Sequence, residues 1–600
     1  MPIFQTVIQG GGTTPTGTKP ITANGVYDVA DYANADVQVP TTAPDYYIEL
    51  GLDANNKLTK TSVPQFPSGS SVTKLGAYVF EYEFYQKAFA SVVNVDWSAI
   101  TSMDTSALYN AFNGATNLGS VNLSGLQTIV NSLGYAFVSS SITSLNLSSL
   151  GAHGGQRPSL SYMCQNCSSL TNVDLSSLDQ GDLQNAFNGC TALTTVKLSN
   201  DTKLYSCNQA FDGCTSLTTV TGKITAIKNS CSNLFYNCAE LVGIDLSGLT
   251  SITYSLISAF SGCTKLGTAT NGLLDLHNVT TIQGSSDLLS SAFANCKGIT
   301  SVDLSGLTTA TRSGGSSSNG LFKQTFNTCS NLVSVDISSL TNIGNGVFNQ
   351  TFNGCTALTT IDLRNVKTIS SANLWFANLS ALANVNLYNL EVCGGFNQTF
   401  TNDTSLLNLD LGRLVCVTGV NCLNETFRQS GITNLDLSSL KNFNSSGTLW
   451  LYCFYKCTNL QNLAFPAFTS STVSSRTTMF QDMLYGLTDV VVHFPSNLQS
   501  IMSSWADVVN GFGGTNTTVL FDLPATVTLT GANSAQYERN PKYDTATALA
   551  WRVLDTGTIS SPVIDWTPFY TSGTTDPVVS DTIYSDAACT TAVTTISSIA

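Results

Sequence analysis

Apolar residues return along the middle of the chain about every two dozen residues, and each return has the same internal order. The clearest copies read Ala186-Phe187-Asn188-Gly189-Cys190-Thr191-Ala192-Leu193 and Thr351-Phe352-Asn353-Gly354-Cys355-Thr356-Ala357-Leu358. The Phe recurs as Phe112, Phe137, Phe211, Phe235, Phe260, Phe293, Phe326, Phe376, Phe400, Phe427 and Phe454. Cys164 takes its place in one copy, and Phe480 opens a degenerate last one. A fixed period of this length marks a solenoid, whose repeats stack because none can bury its apolar face alone. The anchors predict about fifteen coils between residues 105 and 500, with an imperfect earlier copy through Ala88 and Phe89 to Trp97.

Many copies continue into Val173-Asp174-Leu175, Ile244-Asp245-Leu246, Val302-Asp303-Leu304, Val335-Asp336-Ile337 or Leu435-Asp436-Leu437. Period-two alternation turns Val and Leu inward and Asp outward, which predicts a short strand. The stretch before the Phe, as at residues 182–187, suits a helical turn or two. Two positions after the Phe stands Gly (114, 189, 213, 262, 354) or Asn (166, 237, 295, 378, 402). Both enter the left-handed region cheaply, as a helix C-cap requires. Each coil is therefore expected to run short helix, cap, turn, strand. The expected fold is an α/β repeat solenoid, one strand and one helical turn per coil, flanked by small β-rich terminal domains.

The next position is Cys in Cys167, Cys190, Cys214, Cys238, Cys263, Cys296, Cys329, Cys355 and Cys457, but Ala115, Leu379, Asp403 or Ser430 elsewhere. A redox or metal ladder would need Cys throughout. Replacement by Ala and Leu favours a column of small buried side chains, a role free Cys fills readily. Cys164-x-x-Cys167 has thiol-redox spacing, but one Cys sits in the Phe slot and the other in the ladder, and no second pair completes a zinc site.

The Phe-x-x-Cys-x-x-Leu-x-x-Val-x-Leu coil resembles the BspA-like leucine-rich repeats of bacterial surface proteins, over roughly residues 105–500. The stretch from Val492 to Leu498 resembles the polar segment that closes such arrays. The resemblance implies adhesion or recognition, with no shared catalytic motif. Surface members normally carry an export signal, whereas MPIFQTVIQGGGTTPTGTKP has no basic region followed by an apolar core.

The ends read differently. Residues 1–45 carry Asn24-Gly25 between strand-like runs, a hairpin turn. The "ITANG-x-YDV…DYA-x-ADV-x-VP" segment resembles one recurring at the ends of structural proteins of tailed phages and prophages. Residues 46–104 are expected to be a transition and N-terminal cap, 105–523 the solenoid with its C-terminal cap, and 524–600 a small β-rich domain opened by an alternating run at residues 525–530.

Composition narrows the function. Only 10% of the residues are charged, against about 25% in ordinary soluble domains. The net charge is −14, with 24 Lys and Arg, so no basic stripe serves nucleic acid. No apolar run approaches a membrane span. The three His, His153, His277 and His493, fit no metal-ligand or triad spacing. An enzyme is therefore not expected, although carboxylates on adjacent coils could approach the separation of a glycan-cleaving pair.

The outward column Asp174, Asp245, Asp303, Asp336, Asp362, Asp410 and Asp436 is the candidate ligand face. It could recruit Ca²⁺ or a polycationic ligand. Asn122, Asn146, Lys197 and Asn386 interrupt it, which favours a solvated face bonded to neighbouring polar side chains. No cofactor is expected. The two coils from Cys263 to Cys296 and from Cys296 to Cys329 each span 33 residues, against 23 to 27 elsewhere. Their insertions, at 267–272, 284–286 and 312–320, suit binding loops or tolerated surface loops.

The expectation is a non-enzymatic virion surface appendage, a phage tail or head fibre-like protein whose solenoid binds a host glycan or protein receptor. Its first residues would join other virion structural proteins, and a homo-oligomer is compatible with that setting. The alternatives are a bacterial cell-surface adhesin and a glycan-degrading enzyme with carboxylates on the coil face.

Overall fold

The computed structural model describes most of residues 63–487 with short interruptions, and beyond them the strands Val490–His493, Val519–Pro524, Ala548–Val553, Tyr570–Thr571, Thr582–Tyr584 and Ala592–Thr595. The chain divides into two compact units, Met1–Leu304 and Ser305–Ala600.

In the first unit, Ala88–Asp96, Thr116–Asn122, Ser144–Asn146, Asn172–Leu175, Thr195–Leu198 and Thr219–Thr221 form one parallel sheet in chain order. Their register brings Val121, Leu145, Val173, Val196 and Val220 into one buried row. Leu273–Asp275 pairs with Ser301–Asp303 in the same sense. A second strand position in the coil makes its own rows, such as Gln180–Asp182, Thr202–Ser206 and Ile224–Ile227.

The second unit repeats the plan. Ser334–Asp336, Thr360–Asp362 and Asn384–Asn386 pair in parallel. Asn434–Asp436, Asn462–Ala464, Val490–His493 and Val519–Pro524 do likewise. Val519–Pro524 then pairs antiparallel with Ala548–Val553, and the last three described strands form an antiparallel meander.

The Phe anchors make the core. In the first unit the rings of Phe187, Phe211, Phe235, Phe260 and Phe293 stack with centroids 5.0 to 5.5 Å apart. In the second, Phe326, Phe352, Phe376, Phe400, Phe427 and Phe454 continue at 5.4 to 6.3 Å. The closer spacings approach that of neighbouring strands, so the rings of successive coils pack face to face through the interior. Two anchors were not read from the sequence. Phe84 stacks on Phe112 at 4.8 Å, so it opens the coil leading to Trp97, whereas Phe89 belongs to the strand that follows. At the far end the anchor is Leu484, because the Phe454 N–H bonds the Met483 carbonyl just as Phe427 bonds that of Cys453. Phe480 lies outside the described residues.

The helical part of the expected α/β coil is corrected. Among the described residues the one helical element is a 3₁₀ turn at Thr268–Thr270, inside the 267–272 insertion. The segment around each Phe is instead a run of turns. Around Phe112, the N–H groups of Asn110, Phe112 and Gly114 donate to Gly134, Ala136 and Val138 of the next coil. The N–H groups between them, Ala111 and Asn113, close i→i−3 turns on Leu108 and Asn110. An α-helix would spend all these donors on its own i−4 carbonyls. Splitting them ties each coil to the next while leaving the donors satisfied.

That geometry needs a left-handed residue both two before and two after the Phe. The pairs are Asn110 and Gly114, Asn185 and Gly189, Gln209 and Gly213, Asn233 and Asn237, Gln350 and Gly354, and so on through Asp482 and Gly486. The later residue is legible as Gly or Asn in most pairs, but Ser139, Thr328, Gln429 and Lys456 hold the same position at positive φ. The earlier one holds Gln, Ser, Tyr or even Leu374 at positive φ, and the stacked neighbours hold those residues there at a cost of about 1 kcal/mol each. Residues 1–45, the run 525–530 and most of the 312–320 insertion lie outside the described residues.

Candidate binding surface

The strands bury their central residue and expose those on either side, as in the exposed-buried-exposed pattern of Asn434–Asp436. The exposed face is thus a grid of side chains at strand spacing, fixed by the core beneath.

The Asp column lies on this face, and its first task is local. One carboxylate oxygen accepts the N–H two residues on: Asp174 from Ser176 at 3.0 Å, Asp245 from Ser247 at 3.0 Å, Asp336 from Ser338 at 3.1 Å, Asp362 from Arg364 at 3.0 Å, Asp410 from Gly412 at 2.9 Å and Asp436 from Ser438 at 2.8 Å. Asn122, Asn146 and Asn386 make the same bond with their amide oxygen. This Asx turn ends the strand, and it needs an oxygen but no charge. The interchange of Asp and Asn follows directly. Asp303 has Asp275 as its register partner.

In the first unit several of these charges are paired. Lys197 Nζ is 3.1 Å from Asp174, Lys223 Nζ is 3.8 Å from Asp245, and His277 Nδ1 is 2.6 Å from Asp275. Burial pulls the Asp174 carboxyl upward, but hydrogen bonds from Ser176 and Lys197 outweigh it and hold the group below the ordinary range. Solvent screens such exposed pairs, and they add little to stability. Among the described residues no group of three or more His, Cys, Asp and Glu gathers as metal ligands.

The second unit departs from this pattern around residue 388. A hollow of about 480 Å³ opens on the strand face, lined among others by Asp362, Asn384, Asn386, Tyr388, Asn408 and Asp410. Register sets Asn384 beside Thr360 and Asn386 beside Asp362. Tyr388 is half exposed. Its hydroxyl accepts from Arg413 Nη2 at 3.1 Å, and the same guanidinium lies 4.6 Å from the ring centroid. Arg413 Nη1 also bonds Asn389 Oδ1 at 3.1 Å, so the guanidinium that holds the ring is itself anchored. Arg364 binds Asp362 Oδ2 through Nε at 2.7 Å and through Nη2. Burial acts against ionisation of Asp362, yet the bonds from Arg364 keep its carboxyl below the usual range. Nothing in the repeat pattern marks Tyr388, because one aromatic at a coil edge breaks no period.

The cysteines sit beneath this surface. Cys190, Cys214, Cys238, Cys263, Cys296, Cys355 and Cys457 donate Sγ–H to the anchor carbonyl of the preceding coil at 2.6 to 3.2 Å. Burial raises the thiol pKa of Cys190, Cys263 and Cys355, and that of Cys457 to about 12. These are structural thiols with no path to a substrate. The Cys164 and Cys167 thiols are both fully buried, the first in the anchor slot and the second in this ladder.

Comparison with known proteins agrees with the architecture. The model of the BspA type leucine-rich repeat region matches six times, over residues 60–152, 82–206, 183–313, 271–351, 323–447 and 397–505. A leucine-rich repeat protein from Bacteroides ovatus is 21% identical, covering 62% of this chain and 83% of that one, with a TM-score of 0.35. A leucine-rich cell surface protein from Faecalibacterium prausnitzii is 20% identical over 56% of this chain and 83% of that one, with a TM-score of 0.25. No curated protein matches the sequence. No helix of the described residues is long and apolar enough to cross a membrane. With six overlapping matches spanning well over half its length, the chain belongs to the BspA-type leucine-rich repeat family.

Proposed function

We propose that this protein is a non-enzymatic recognition module that binds a receptor on a cell surface through the exposed strand face of its coils. The observation that carries the reading is the contrast between core and face. Phe, Leu, Val and Cys are consumed by packing, while the face presents a rigid array of polar side chains and a pinned, half-exposed Tyr388. A face fixed in advance loses little entropy on binding. The resemblance to BspA-like repeats of bacterial surface proteins implies adhesion or recognition, and the Faecalibacterium protein is named a cell surface protein. Fluorescently labelled full-length protein should bind bacterial cells saturably. Failure to bind any of a broad panel of cells would overturn the reading.

For the setting, we favour a virion surface appendage over a bacterial adhesin. The N-terminal segment resembling phage structural proteins supports this, and so do the thiols. A chain that buries many free thiols, among them Cys190, Cys214, Cys238 and Cys263, suits folding in a reducing cytosol followed by release on lysis, rather than passage through an oxidising export route. Mass spectrometry of purified phage particles should find the chain. Its presence on washed, particle-free cell envelopes instead would favour the adhesin.

A further inference from the structure

The hollow beside Tyr388 carries a more specific inference, one that rests on the receptor-binding reading. We infer that it is a subsite for an uncharged sugar, recognised by stacking on Tyr388 and by the amide and carboxylate groups of Asn384, Asn386, Asn408 and Asp410.

Three features point to this ligand class. First, charge is balanced within the site. Asp362 is matched by Arg364, and Asp410 faces the same hollow that Arg413 flanks through Tyr388. A net anion or cation would gain little here, whereas a neutral polyhydroxy ligand loses nothing. Second, hydrogen-bonding capacity is left over. The Asn384 side chain is exposed and has no partner among the described residues. Asn386 spends its oxygen on the Tyr388 N–H at 3.2 Å and keeps its two amide donors. Asp410 spends Oδ1 on Gly412 and keeps Oδ2. Asn408 accepts from Thr433 at 3.3 Å and keeps its donors. Donors and acceptors on adjacent strands, about 4.8 Å apart, suit hydroxyl groups presented side by side on a pyranose ring. Third, a flat aromatic surface is held ready. Arg413 fixes Tyr388 by a hydrogen bond and a cation–π contact, so stacking on it costs no further ordering. The first unit pairs Asp174 with Lys197 and Asp245 with Lys223 at the corresponding rows, which spends the groups left over here.

The test is a panel of immobilised neutral, sialylated and sulfated oligosaccharides probed with the full-length protein and with Tyr388→Ala, Tyr388→Phe and Asn384→Ala. The inference expects binding to at least one neutral glycan. It expects a loss of about tenfold or more in Tyr388→Ala, a smaller loss in Asn384→Ala and near-retention in Tyr388→Phe. Tyr388 is half exposed, so the melting temperature should stay within a few degrees and mark the loss as local. Binding confined to sialylated or sulfated glycans would overturn the neutral class. Cell binding that survives Tyr388→Ala, with no glycan bound, would overturn this subsite and point to a protein receptor while leaving the surface-recognition reading intact. Cleavage of a bound glycan would overturn the purely binding role. Absence of cell binding by the unaltered chain would overturn the proposed function itself.

Discussion

Asp403 offers the sharpest test of the coil geometry. It occupies the slot held by Cys in most coils, and its side chain is fully buried. One carboxyl oxygen accepts the Leu379 N–H at 2.8 Å, and Oδ2 has no hydrogen-bond partner. Burial pushes its pKa well above the ordinary carboxylate value, with the Leu379 bond opposing only in part. The folded chain therefore keeps the acid protonated at pH values where the unfolded chain ionises. The sign follows from linkage. A group whose folded pKa is raised gives its full stability below the unfolded value, near pH 3.9, and loses it as pH rises toward the folded value. Within that window each pH unit removes about 1.4 kcal/mol from the unmodified protein. Asp403→Asn keeps the acceptor for Leu379 and cannot ionise. Chemical denaturation of both proteins from pH 4 to 8 should show the variant gaining on the parent as pH rises, by about 1.4 kcal/mol per unit until the folded value is reached. A difference that stays flat over this range would refute the buried, protonated assignment. So would a variant less stable than the parent by the same amount at every pH.

The other expectations follow from the same coils. Phe235 stacks between Phe211 and Phe260 at 5.0 and 5.5 Å, so Phe235→Ala should cost about 3–5 kcal/mol, read by denaturation, with hydrogen-exchange protection lost first in the adjoining coils. Gly222 has φ +95, and a Cβ there would meet the Leu198 carbonyl oxygen at 2.3 Å, so Gly222→Ala should destabilise by more than about 1 kcal/mol. Gly213, at φ +72 with nothing closer than 3.9 Å, should accept Asn within about 0.5 kcal/mol in the same assay, because its stacked neighbours include Asn at that position. Among the described cysteines only Cys416 is partly exposed, so mass-resolved alkylation of the native protein should modify Cys416 well before Cys214 or Cys263, whose buried thiols have raised pKa.

The sequence by itself determined the repeat, its anchors and the direction each side chain faces. Phe, Leu and Val recur because one coil cannot bury its own apolar face, and period-two alternation puts Val173 inside and Asp174 outside whatever the coil does next. The Gly or Asn two after most of the Phe anchors was equally legible, since few other residues reach positive φ cheaply, whereas Ser139, Thr328, Gln429 and Lys456 are held there by the stack alone. Tertiary structure decided what those positions are used for. The segment before the Phe looks helix-compatible in isolation, but a neighbouring coil supplies carbonyls to alternate N–H groups, and a turn run with a second left-handed residue such as Gln209 or Leu374 replaces the helix. The same holds for the ends of the array, where Phe84 and Leu484 are anchors only because their backbones meet Phe112 and Phe454. The Asp column was readable, but its role as a strand-ending turn rests on a carboxylate oxygen reaching an N–H two residues away. The hollow at Tyr388 belongs wholly to tertiary structure: residues more than twenty positions apart become neighbours only when parallel coils stack in register.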